Sequence, residues 1–157
     1  MLSAKAGFTL FELLLVLAIF LLLATASLPI YRRWQTDAQV NESAAQLLSS
    51  LRLARSRSVA GDHGLASGVY LDVNPIGPDR YVVYRGSSFS APGRDTSADQ
   101  IVNLLPVLTL GSDLPSPDIN FSRGLGLLPA AGQITLGHQV YGTRSISVNQ
   151  FGAVTEN

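Results

Sequence analysis

The chain offers little from which to build a catalytic centre. It has two histidines, His63 and His138, each in a glycine-flanked stretch that reads as a loop, and no cysteine. No Gly-x-Ser-x-Gly frames a nucleophile, so a Ser-His-Asp set drawn from its serines and aspartates would have nothing to position it. Without Cys there is no thiol catalyst, Cys-based zinc site, disulfide framework or lipoprotein anchor. Asp72, Asp79, Asp95, Asp99, Asp113 and Asp118 are scattered and do not follow calcium-loop spacing. Gly124-Leu-Gly126 precedes no predicted helix, which argues against a phosphate cradle. No cofactor or metal is expected, and the sequence reads as that of a non-enzyme. The titratable residue that stands apart is Glu12.

Glu12 lies in an apolar setting. Leu13–Ala24 is apolar without a break, and from Phe8 to Ile30 only Thr9, Glu12, Thr25, Ser27 and Pro29 interrupt the pattern. As a helix this segment would be ~35 Å long, enough to cross a hydrocarbon core of ~30 Å. A charge at the centre of such a helix costs roughly 2.5–3.5 kcal/mol on insertion scales, and less near an end. A carboxylate kept there calls for a compensating positive group.

Gly7-Phe8-Thr9-Leu10-Phe11-Glu12 before a long apolar run resembles the processing signal of type IV prepilins and type II secretion pseudopilins. The resemblance implies that a prepilin peptidase cuts between Gly7 and Phe8 and that Phe8 is then N-methylated. It implies that Glu12 serves assembly. A physical reason is available: cleavage exposes an α-amine at Phe8, and a neighbouring subunit's amine can neutralise Glu12 inside an apolar helix bundle. Breaking such a pair would cost several kcal/mol, so it can favour correct register. The implied partners are the peptidase/methyltransferase, other pilins or pseudopilins, an inner-membrane assembly platform and membrane lipid. The implied location is the cytoplasmic membrane, single-pass, with the globular domain outside the cytoplasm.

Two other readings of the same stretch stay open. Lys5 and Ala24-Thr25-Ala26 before Ser27 resemble an ordinary secretory signal with its cleavage site, although Glu12 interrupts the region that should be uncharged. A plain unprocessed anchor is the other. Lys5 and the initial amine oppose Arg32 and Arg33 across the span, so loop charge does not set the orientation.

Composition leaves room for one anchor helix and one small domain in 157 residues, with 11 basic and 11 acidic residues in balance. Net neutrality argues against a general nucleic-acid binder. Arg52 and Arg55 share a helix face, but they read as helix-end charges on a solvated face. DNA-binding members of the resembling branch carry a basic motif at the C-terminus, where this chain has Gly152-Ala-Val-Thr-Glu-Asn157 with no basic residue. Phosphate binding needs several Lys or Arg.

The elements that would carry these residues follow from period. Met1–Gly7 is read as a leader and Phe8–Ile30 as the transmembrane and assembly helix, kinked at Pro29, which lacks a donor and clashes with the preceding turn. Residues 31–61 continue the helix in amphipathic form. Val40, Ala44, Leu47, Leu51, Ala54 and Ser58 share a face widened by Leu48, and Tyr31 and Trp34 suit a membrane boundary. Gly61 caps it. Residues 62–157 form a β-rich domain. Gly68–Val73 and Arg80–Arg85 are strands of a hairpin through Asn74-Pro-Ile-Gly-Pro-Asp79. Gly86–Gln100 is an exposed loop, either a partner surface or simply solvated. Ile101–Leu110 is an edge strand or two pieces split at Pro106. Ile119–Phe121 is a short strand, and Gln133–Leu136 with Arg144–Asn149 forms a second hairpin. Helix then strands gives an α+β, pilin-like fold with the helix packed on an antiparallel sheet. Leu51-Arg-Leu-Ala-Arg55, Asp118-Ile-Asn-Phe121 and Ile146-Ser-Val-Asn149 resemble the minor pseudopilin H/FimT-like branch. That implies a subunit of a type II secretion pseudopilus, or alternatively a minor pilin of a type IV pilus with a role in biogenesis or DNA uptake.

Overall fold

The computed structural model describes residues 8–138 and 142–156, with side chains of 26–30 outside the description. The chain divides into two compact units, 1–35 and 36–157. One helix, α1 (Leu10–Ala60), contributes to both. It is followed by eight strands: β1 (Ser67–Asp72), β2 (Arg80–Arg85), β3 (Gln100–Asn103), β4 (Leu108–Ser112), β5 (Asp118–Phe121), β6 (Gly132–His138), β7 (Thr143–Val148) and β8 (Val154–Glu156). The α+β expectation holds, as do both hairpins and the helical face of Val40 to Ser58.

The single expected sheet is two. One has the order β3-β2-β1-β5 and the other β4-β6-β7-β8, all antiparallel. Pro106 is the reason. It splits the 101–110 stretch into an edge strand of each sheet, because it cannot donate to a ladder. Both sheets and the helix feed one core. Leu47 and Leu51 from α1 meet Val69, Tyr81 and Phe121 from the first sheet and Ile134, Leu136 and Ile146 from the second. Each buried Leu or Ile contributes about 1.5–3 kcal/mol over its exposed form. This core lies wholly within residues 40–154.

Two buried polar side chains join the layers. Ser58, at the end of the helical face, accepts from Ser67 N at 2.7 Å and donates to Ser67 O at 3.1 Å, which fixes the start of β1 against the helix. Asp79 sits in the β1–β2 turn, read from sequence as one scattered acid. It is buried, and its carboxylate accepts from Asn74 N at 2.8 Å and from Leu110 N of β4 at 2.7 Å. One carboxylate thus closes the turn and ties the two sheets. Gly61 ends the helix as expected, with φ 65°.

The 86–99 loop is not a plain solvated loop. Ser88 Oγ and Phe89 N donate to the Asp118 carboxylate at 2.9 Å, and the Phe89 ring stacks on Tyr70 at 4.1 Å. Arg94 pairs with Asp99 and lies over the rings of Tyr84 and Phe89. The loop therefore covers the outer face of β1 and β2, where Tyr84 is fully buried. Tyr84 donates to Asp118 and accepts from Asn120 Nδ2 at 2.8 Å. It can lie across β1 only because position 68 has no side chain: a Cβ there would sit 2.6 Å from Tyr84 Oη and 2.7 Å from the Ile119 carbonyl. Gly68→Val should cost about 1–3 kcal/mol or more, since the carbonyl cannot swing aside. Thermal unfolding of the variant beside wild type reads this directly.

Burial, reinforced by Asp118, pushes the Tyr84 phenol up from its ordinary 10.0, and burial likewise raises Tyr81. Below pH 10 both phenols are neutral in folded and unfolded chains alike. Above it the unfolded chain ionises while the folded chain resists, so stability should fall as pH rises beyond 10. Melting temperatures across pH 8–11 should show this fall, and Tyr84→Phe should flatten part of it.

Candidate functional site

The candidate site is the start of α1. Thr9 caps the helix: its Oγ1 accepts from Glu12 N at 3.2 Å, and its carbonyl accepts from Leu13 N at 3.2 Å. Thr9-Leu-Phe-Glu12 is thus a Thr-x-x-Glu capping pattern, legible in the sequence within the same residues as the processing signal. Glu12 lies in the first turn, where the helix dipole favours negative charge. The carboxylate is exposed, and so is Phe8 at 80%. Beyond it Leu13, Val16, Leu17 and Phe20 are all exposed, with a shallow apolar hollow between Phe8 and Phe20. A helix apolar all round and bare on every side is one that buries itself in lipid or among other helices.

Gly7, the expected cleavage residue, lies outside the described residues. The kink expected at Pro29 falls where side chains are outside the description. Among the described residues no helix is long and apolar enough to cross a membrane, and the expected span over 8–30 includes side chains outside the description.

Residues 2–28 match the prokaryotic N-terminal methylation motif. The N-terminal segment of this chain is similar to that of type IV pilin-like proteins. The motif implies processing by a prepilin peptidase and assembly with other pilins. It belongs to membrane-anchored proteins that assemble outside the cell. No match was found among curated proteins or among solved structures. The long helix on antiparallel sheets is the arrangement of the pilin-like fold.

The other residues weighed from sequence are placed as follows. Arg52 and Arg55 are not simply solvated charges. Arg52 Nη2 donates to the Val154 carbonyl at 3.2 Å and Arg55 Nη2 to the Phe151 carbonyl at 3.1 Å, so they fasten the C-terminal segment to the helix. They also line an open groove of about 630 Å³ with Val59 and Gly152. His63 is exposed in a short 3-10 turn, 3.6 Å from Asp62. His138 is the last residue of β6 and not a loop residue. Among the described residues no group of His, Asp or Glu could hold a metal.

Proposed function

We propose that this pilin-like protein is a minor subunit of a type II secretion pseudopilus. Its leader is cut between Gly7 and Phe8, Phe8 is N-methylated, and the 8–30 segment, bent at Pro29, anchors it in the cytoplasmic membrane until the helix is drawn into a filament. The β domain then faces outward. The observation that carries this reading is the methylation motif over residues 2–28 running directly into one 51-residue helix, bare and apolar at its start and buried against the sheets at its end. Such a chain has one half for assembly and one half for display. Its role is structural.

The H/FimT-like strand patterns support a minor subunit. Arg52 and Arg55 each donate to the chain's own carbonyls, which weighs against a DNA-uptake role. Reconstituting the full chain with its peptidase and either a secretion or a pilus assembly system, then probing sheared filaments with an antibody to the β domain, separates the systems. Recovery with the secretion filament supports the proposal; recovery only with the pilus overturns it.

A further inference from the structure

The β domain has four sheet edges, and three carry features that blunt them. On β4 two outward amides are taken: Leu108 N donates to Leu105 O at 2.9 Å and Leu110 N to Asp79 at 2.7 Å. On β5 the Asp118 amide donates to Ser116 Oγ at 3.1 Å, and the strand carries a charge beside Pro117. On β8 the Val154 carbonyl accepts from Arg52, and Glu156 adds a charge. These are the usual ways of blunting an edge.

The edge of β3 has none of them. Gln100-Ile-Val-Asn103 has no charge and no proline. Leu104 N bonds inward to Asp79 O, so by the alternation of an antiparallel ladder Val102 also bonds inward, to Tyr81, while the backbone groups of Ile101 and Asn103 point outward. Among the described residues nothing pairs with those outward groups. Ile101 is 57% exposed, and Leu105 and Val107 just beyond it are also exposed.

We propose that β3 pairs antiparallel with β3 of a second copy, centred on Val102. The strand is self-complementary in that register. Ile101 of each copy stands opposite Asn103 of the other, so all four outward amides and carbonyls are used, and Val102 faces its own counterpart in the narrow, non-bonded position. The nearest charges do not oppose this, because each is neutralised within its own copy: Arg94 by Asp99, and Arg80 by Asp72 at 2.6 Å. Pairing would extend the β3-β2-β1-β5 sheet into a continuous eight-stranded one. The inference does not rest on the chain's place in any filament.

The chain has no cysteine, so an introduced thiol is unique. The test uses full-length chain in liposomes under mild oxidation. Val102→Cys should form a disulfide dimer roughly tenfold more than Asn120→Cys on β5, because pairing raises the local thiol concentration. Adding Ile101→Lys, which places like charges across the edge, should abolish that excess. Independently of any change at Val102, a mixture of Ile101→Cys and Asn103→Cys chains should cross-link more than either alone. No excess at Val102→Cys in folded protein together with no excess in the mixture overturns the proposal, and so does an excess that survives Ile101→Lys.

Discussion

Glu12→Gln should remove the protein from filaments by tenfold or more while leaving its β domain folded. The substitution separates the capping position of Glu12 from the assembly role proposed for it. As the third residue after the Thr9 cap, Glu12 belongs to a capping pattern that accepts glutamine as readily as glutamate. Glutamine therefore keeps the helix start and removes only the charge. If the carboxylate serves to receive a neighbouring subunit's Phe8 amine in an apolar bundle, its loss leaves that amine buried and unpaired, at a cost of about 3–5 kcal/mol. A difference of 1.4 kcal/mol is tenfold in an equilibrium, so assembly should fall well beyond that. Quantifying the subunit in sheared filaments against its amount in the membrane measures it. Equal incorporation of Glu12→Gln and wild type would show that the residue is only a cap.

Asp79→Ala should be strongly destabilising to the β domain. The carboxylate is buried and accepts from Asn74 N and Leu110 N. Alanine leaves both amides without a partner, at about 1–3 kcal/mol each, so the loss should be roughly 3 kcal/mol or more. For a domain of this size that corresponds to a drop in melting temperature of about 10 °C. Asp79→Asn keeps one acceptor oxygen and should cost about half as much. A loss below 1 kcal/mol for alanine would mean that the sheets do not depend on this bridge.

Much of this was legible in the residues. The apolar face of Val40 to Ser58, the hairpin through Pro75 and Pro78, and the C-terminal hairpin follow from period and turn chemistry, which are local signals. What was not legible depends on partners distant in the chain. Nothing near Asp79 in sequence says that its carboxylate will meet Leu110. A Ser/Gly/Pro-rich run such as 86–99 reads as solvent-exposed, and only the pairing of β1 with β2 and β5 brings Tyr70, Tyr84 and Asp118 together beneath it. Pro106 announced a break, but not that the two pieces would join different sheets. At the N-terminal site the order is reversed. Gly7, Phe8 and Glu12 stand out because the processing signal they resemble is a run of adjacent residues and needs no folded pocket to be legible. The capping role of Thr9 is legible too, in the same six residues, because Thr-x-x-Glu is itself a local signal.

The measurement that bears most directly on the whole account is the N-terminus of the mature protein extracted from membranes that contain its peptidase. Intact-mass and peptide mass spectrometry should find a chain that begins at Phe8 and carries one methyl group on its α-amine. A chain that begins at Ser27 would contradict the account, because the apolar helix would then be a discarded signal and the β domain would have no anchor.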